Sequence, residues 1–486
     1  MFWRGVAGYL PANLLQGLVG FGAIMAYTRL LSPEDFGRYA LAFSVMTLAH
    51  VATFSWLEAA MARFWAAQRT AQDLANHFAS LYRATAALSL VFLPLALIGT
   101  WLWPMPEAYR WPIAVALVGI PIRCLAKLAQ ERFRAAGEVR KAASLDIWNT
   151  LAGFAVGVVA AFSGGGGSAP LMGLLIAPLF ALPFVLPAEV RQADGGHIQP
   201  KRLGNYALYG YPIAASLGLA VVLSSTDRFL LAYFLDDAAV GAYHAGYSIA
   251  NRTLDVMFIW LGAAGTPALV MALEKGGRQD LQVAAREQAS VLLLIGMPAA
   301  VGLALVARPL AEFMIGPDLR AAATQVTPWI ALSALLSGLT VYYFHQAFTL
   351  GRRTGWLLVT MCIPALVNVL LNLWLIPAYG LIGAAWATTA SFGIGLMASM
   401  AIGRRVLALP VPWRSLLTCA LCSGIMAVAV VLLPSIGGLA EVILDASVGA
   451  VVYGLAAVLF NAGDARTQLI RLQAFHRARK ARRAAA

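Results

Sequence analysis

The amino-acid sequence predicts an all-α polytopic membrane protein of about 14 transmembrane helices, two six-helix lobes in parallel repeat plus two C-terminal helices. Three observations carry that expectation: the composition, an almost unbroken succession of apolar runs of spanning length, and a short repeat that links the two halves. Of 486 residues, 60% are hydrophobic and only 12% are charged, whereas a soluble domain carries roughly 25% charged residues. Mean hydropathy is +0.75. No water-soluble surface can be built from such a chain, and no separate soluble domain is expected.

The spans follow in order. With a window of about 20 residues, the first six helices centre on Gly20, Leu48, Leu90, Val118, Ala155 and Ile176. The next six centre on Leu219, Ile259, Pro298, Ser333, Pro364 and Ser391, and two more on Met426 and Val452. The first ten residues lack the charged, apolar and small-residue regions of a cleaved signal peptide, so the first span is expected to be retained. Cys124, Cys362, Cys419 and Cys422 all lie in apolar segments, which argues against a disulfide framework. The Cys419/Cys422 pair has no nearby His and reads as small buried side chains.

The net charge of +13 would suggest nucleic acid in a soluble protein. Here the cations are parcelled between apolar runs, which is a topology pattern, and no nucleic-acid partner is expected. Alternate loops hold Arg63 and Arg69, then Arg132, Arg134, Arg140 and Lys141, then Arg191, Lys201 and Arg202. Later ones hold Lys275, Arg278 and Arg286, then Arg352 and Arg353, then Arg404, Arg405 and Arg414. The intervening loops hold little beyond Arg110 and Arg320, so the positive-inside rule puts both termini in the cytoplasm. The expected external turns are short: Ser32 to Asp35, Ser163 to Ser168, Asp236 to Ala239, and Pro377 to Gly380. Neither side offers a catalytic domain, and the chain has no phosphate-binding G-x-x-x-x-G-K-[ST] loop or H-E-x-x-H metal site. The Gly164 to Gly167 run lies in a turn and follows no strand, so it makes no phosphate cradle. Transport through the bundle, with no cofactor, is what remains.

The segment from Leu31 to Val45 aligns without gaps on Leu235 to Ile249, with identities at Leu31/Leu235, Gly37/Gly241, Tyr39/Tyr243 and Ser44/Ser248. Each copy joins the first helix of a half to its second. Six helices lie between the copies, so they share one orientation, as in a parallel repeat with a cavity between the lobes. The expected divisions are 1–204 for the first lobe and 205–403 for the second, then 404–462 for two extra helices and 463–486 for a basic cytoplasmic tail. In that tail Leu469, Leu472 and Phe475 alternate with arginines, as in a helix lying on an anionic leaflet or a solvated basic tail.

These residues resemble the polysaccharide-exporter (Wzx-type) flippases of the multidrug/oligosaccharidyl-lipid/polysaccharide superfamily. The stretches that carry the resemblance are Arg29 to Tyr39, Asp227 to Leu235 running into Val240 to Tyr243, Ile376 to Trp386, and the basic loop Glu131 to Gly137. The resemblance covers most of the chain up to about Arg405 and is consistent with two such lobes. It implies a flippase moving an undecaprenyl-pyrophosphate-linked oligosaccharide across a bacterial inner membrane by alternating access, in contact with membrane lipids and alongside polysaccharide polymerase and export machinery. Drug-exporting relatives usually lack the last two spans, which favours a lipid-linked substrate. A cation-coupled drug or metabolite exporter and a peptidoglycan-precursor flippase are the alternatives.

Charges inside spans cost about 2.5 to 3.5 kcal/mol at the membrane centre and need a partner or a wet cavity. Arg252 lies about 18 Å down its helix from the external turn, so it either lines the cavity or pairs with Asp255 at i+3. The resemblance places a cation at this point of the eighth helix. Arg29 either reaches external headgroups or faces the portal, where related flippases hold an arginine. Asp227 is read as inward-facing, as an ion or proton site or as a hydrogen-bonding group, and Asp255 as a possible member of the same class. Arg123 and Lys127, at i and i+4, either meet a pyrophosphate or extend the positive-inside signal; Arg63 and Arg83 carry the same two readings at the cytoplasmic face.

Overall fold

The computed structural model describes residues 2–468 and 470, and the side chains of all of these except 2–10 and 264. The basic tail therefore lies, from residue 471, outside the described residues. Among them there is no strand. Helix α1 is Phe2–Leu30, α2 Pro33–Thr53, α3 Ser55–Phe64, α4 Ala71–Leu102, α5 Glu107–Ala135, α6 Val139–Phe162, α7 Ala169–Arg191 and α8 Pro200–Phe234. There follow α9 Asp237–Leu305, α10 Ala307–Met314, α11 Pro317–Leu339, α12 Gln346–Leu350, α13 Gly355–Val406, α14 Trp413–Val431 and α15 Gly438–Leu459.

Among the described residues ten helices are long and apolar enough to cross a membrane, or eleven with the bent α2–α3 pair. Two of them are hairpins. Gly277 in α9 and Gly380 in α13 have positive φ, of 67° and 60°, a conformation L side chains rarely adopt. Around them the arms fold back: Gly296 lies beside the Phe258 ring, and Asn368 Nδ2 donates to Thr388 Oγ1 at 3.3 Å. Counting each hairpin as two spans gives thirteen, which contain every expected span centre but Gly20; that one lies in α1, a helix of spanning length that is not among the ten.

Local chemistry explains the second span. Ser32 caps α2 by accepting from the Asp35 amide at 3.1 Å, Pro33 occupies the first turn, and Glu34 and Asp35 complement the helix dipole. The helix then bends by 51° into α3. At that bend Ser55 Oγ donates to the Val51 carbonyl at 2.7 Å and Trp56 Nε1 to the Thr53 carbonyl at 3.0 Å. Side-chain donors competing for carbonyls in this way bend helices.

The chain forms two compact units: one runs to Ala245 and includes Ile315–Leu319, and the other comprises Gly246–Met314 and the described residues from Arg320 onward. In the first unit, Phe54, Leu57, Met61, Phe78, Leu81, Ile120, Cys124 and Leu128 form a closed apolar core. Its loops sort to two ends. At one, Arg38 Nε donates to Asp237 Oδ2 at 2.8 Å and Arg38 Nη1 to Asp35 Oδ1 at 3.1 Å, Tyr109 donates to Asp237, and Gly166 lies against Asp35. At the other, Arg202 reaches Gln68 and Asp73, and Gln72 reaches the Gly195 carbonyl. The weakly charged turns thus share one end and the basic loops the other.

The repeat meets itself at the first of these ends. A β-carbon on Gly37 would strike the carbonyl of Asp237, and one on Gly241 would strike the carbonyl of Pro33. Each such carbon would also sit 3.1 Å from the other glycine's amide nitrogen. Gly37 pairs with Gly241 in the repeat and Pro33 with Asp237, so the contact is reciprocal, as a parallel repeat requires.

In the second unit α14 and α15 pack on the second arm of α9. Cys419, Cys422 and Met426 are buried there with Leu293 and Tyr453, and the Tyr453 hydroxyl donates to the Leu294 carbonyl at 2.8 Å. Both cysteines are free thiols.

Candidate functional site

The site is built on α5, which enters at the turn end and leaves at the basic end of the first unit. Its Arg123 lies about 18 Å from the last residue, Ala135, and about 24 Å from the first, Glu107, at 1.5 Å per residue. The guanidinium is well inside the span, yet its hydrogen bond is to the Met46 thioether, Nη1 to Sδ at 3.6 Å. No carboxylate comes within ion-pair distance of it among the described residues. Glu58 and Tyr39 lie within electrostatic reach.

Glu58 belongs to α3 and faces back across the bend. Its Oε1 lies 2.9 Å from His50 Nε2 on α2, with side chains 13% and 22% exposed respectively. That oxygen is buried and lacks hydrogen-bond geometry to any partner, so the contact is electrostatic. Three ionisable groups from three helices thus share one apolar neighbourhood: a cation, an acid, and an imidazole that carries charge only when protonated.

The sequence singles out Arg123, but not His50, and gives Glu58 no role. Each is an ionisable residue in an otherwise apolar stretch, which is the signal that points to them. Their proximity depends on the α2–α3 bend, which no periodicity announces.

The remaining expected residues are distributed as follows. Lys127 turns toward Glu131, 4.0 Å away, at the basic end. Arg63 is exposed, 5.7 Å from the Phe64 ring centroid, and Arg83 is exposed. Arg29 donates to the Met25 carbonyl of its own helix at 2.9 Å. Asp227 is fully buried, accepting from the Tyr243 hydroxyl at 2.5 Å and from the Arg228 amide at 2.8 Å. In the second unit Arg252 and Asp255 are both exposed and form no ion pair with each other. Asp255 is within electrostatic reach of Tyr342, whose ring stacks on Phe258 with centroids 6.1 Å apart. Tyr342 sits in a π-helical turn, Thr340–Phe344, of a kind often found at functional positions.

At the basic end α5 presents a different arginine. Arg132 donates to both Glu189 oxygens and to Glu138 at 2.5 Å, and lies over the Phe133 ring. Tyr82 donates to Glu189 at 3.2 Å. Glu138, between α5 and α6, is held below the usual carboxylate range by its hydrogen bond from Lys141 and by the nearby Arg132 guanidinium.

The polysaccharide biosynthesis protein family matches residues 24–323, a stretch that contains His50, Glu58, Arg123, Arg252 and Asp255. The chain belongs to that family. Among solved structures it is similar to the lipid II flippase MurJ in an inward closed conformation, with a TM-score of 0.77 and 13% identity over 93% of this chain and 98% of that one. It is also similar to an inward-facing multidrug resistance MATE family transporter of the MOP superfamily, with a TM-score of 0.64 and 14% identity over 80% of this chain and 93% of that one. No curated protein sequence matches it significantly. The polysaccharide biosynthesis family member thus has the fold shared by that flippase and that transporter, and it is a multi-pass membrane protein.

Proposed function

We propose that this protein moves an undecaprenyl-pyrophosphate-linked oligosaccharide from the cytoplasmic to the outer leaflet of a bacterial inner membrane by alternating access, with both termini cytoplasmic. The observation that carries the reading is Arg123. A guanidinium presents five donors in a fork that fits phosphate oxygens. Held inside a span with a thioether as its hydrogen-bond partner, it is a cation whose desolvation is poorly offset until an anion arrives. A pyrophosphate supplies that anion. The polyprenyl tail loses nothing by staying in lipid, so only the headgroup needs a polar route.

In this reading Arg63, Arg83 and Lys127 meet the headgroup at the basic, cytoplasmic end, Arg123 binds it at depth, Arg29 lies on the exit side, and Arg252 is a further candidate for binding the substrate. The family match and the MurJ-like fold support a lipid-linked substrate.

The test is reconstitution into vesicles with a fluorescent undecaprenyl-pyrophosphate oligosaccharide, scored by its loss of protection from an added glycosidase. Wild-type protein should speed transbilayer movement well above protein-free vesicles. Arg123→Ala should lose at least about tenfold of that rate with unchanged thermal stability, and Arg123→Lys should keep part, because charge survives without the fork. No acceleration by wild type, or full activity in the alanine variant, would overturn the reading.

A further inference from the structure

We infer that His50 and Glu58 form a proton-binding pair that decides whether Arg123 is open to an anion. The inference rests on the flippase reading for the identity of that anion, but the pair itself stands on geometry. His50 ends the long arm of the second span and Glu58 begins the short arm, 2.9 Å apart across a 51° bend. Arg123 approaches from α5, its Nη1 3.6 Å from the sulfur of Met46, one turn before His50 on α2, and within electrostatic reach of Glu58.

Charge counting gives the mechanism. With His50 neutral, the Glu58 carboxylate and the Arg123 guanidinium cancel, and an incoming anion would leave one uncompensated negative charge in a poorly solvated place. When His50 takes a proton from water it becomes the counter-ion of Glu58. The cluster then carries one net positive charge, centred on Arg123, which an anion neutralises. Proton and anion therefore bind together, so the affinity for the anion depends on pH. Imidazole is the side chain suited to this, because its charge changes near neutral pH.

The surroundings leave these three in charge. Among the described residues, Tyr39 on α2 lies within reach of Arg123 and Cys124 on α5 within reach of Glu58. From α8, Tyr211 stacks on Trp56 and Tyr209 packs on Phe64. The His50 ring itself lies 6.4 Å from that of Phe54, the residue at the bend.

The experiment uses full-length protein in nanodiscs of zwitterionic lipid and undecaprenyl pyrophosphate as the probe. Titration calorimetry in buffers of different ionisation enthalpy counts the protons taken up per probe bound. The probe's own protonation is common to all variants, so the difference between them reports the protein. Wild type should take up close to one proton more than His50→Gln, and its affinity should fall more steeply as pH rises, by up to about tenfold per pH unit, as one linked proton requires. Glu58→Gln should also flatten that dependence.

Equal proton uptake in wild type and His50→Gln would overturn the inference, and so would variants that lose thermal stability without altering uptake, since a purely structural ion pair predicts that. If folded wild-type protein fails to bind the probe at any pH, the substrate reading falls instead. The pair is then judged by ring-nitrogen NMR of His50 alone. Its titration should move to lower pH in Glu58→Gln, and an unmoved titration would overturn it.

Discussion

Arg123 and Arg132 lie nine positions apart on one helix, and their surroundings could hardly differ more. Arg132 is 8% exposed, bonded to Glu189 and Glu138 and stacked on Phe133. Its partner Glu189 has no exposed side-chain surface and also accepts from Tyr82. Arg123 has the Met46 sulfur and, farther off, a carboxylate already facing a histidine. The desolvation of a buried cation is offset only by well-placed acceptors. Where these are complete, as at Arg132, the arginine ties α5 to α7; where they are incomplete, as at Arg123, the proposed anionic headgroup would complete them.

The largest expected effect would break or secure that contrast directly. Glu189→Ala leaves Arg132 buried without its main counter-ion, a loss of about 3 to 5 kcal/mol for such pairs. It should sharply lower the amount of folded protein and the apparent Tm in detergent. Arg123→Met, by contrast, removes a cation that has little compensation and should leave Tm unchanged or raised while abolishing lipid movement. Equal destabilisation by both would mean that Arg123 is as structural as Arg132.

Little of this difference is legible in the sequence. Arg123 is read there as a pyrophosphate contact or a positive-inside signal and Arg132 as loop charge, but what settles each is remote: Glu189 lies 57 positions from Arg132, and His50 and Glu58 belong to another span. What the sequence does carry is the fold. Spans are long and apolar enough for hydropathy to locate their centres, and the turns after Leu31 and Leu235 are written in local chemistry and in a repeat. Hydropathy is blind, however, to the bend after Thr53, which arises from Ser55 and Trp56 donating to carbonyls. It is equally blind to whether a charge within a span finds a partner. Arg252 illustrates the latter: an i+3 spacing invites a pair with Asp255, yet both are exposed and unpaired with each other.

A smaller effect sharpens the contrast by asking what the Arg132 pair is worth as a pair. Replacing both Arg132 and Glu189 with apolar residues of similar size, Arg132→Met with Glu189→Leu, removes the charges together. Such exchanges are often neutral or stabilising by about 1 to 4 kcal/mol. Glu138 would still be held by Lys141, 2.6 Å away. The double variant should therefore recover most of the Tm lost by Glu189→Ala and retain lipid movement. Recovery of Tm without movement would assign the basic end a part in transport that its complete pairing does not suggest.

The smallest effect lies at the opposite end of the first unit, where Arg38 and Asp237 form a pair intermediate in exposure, 25% and 16% for the two side chains. Asp35 and Tyr109 share the same network, so a single deletion confounds several contacts and a double-mutant cycle is needed. The coupling between Arg38→Ala and Asp237→Ala in Tm-derived stability should be below about 1 kcal/mol, the usual value for pairs open to water. It should also shrink as salt rises from about 0.05 to about 0.5 M, because screening lengths then fall well under 10 Å. The Arg132–Glu189 coupling, closed to water and ions, should not change over that range. This pair of cycles tests whether burial sorts the charges of this protein into those that hold it together and those that merely decorate its rim. A rim coupling as large and as salt-resistant as the buried one would show that exposure is the wrong axis. The low degree of compensation at Arg123 would then have to be judged by the number and geometry of its acceptors, the thioether and the distant Glu58, and no longer by how deeply the guanidinium lies.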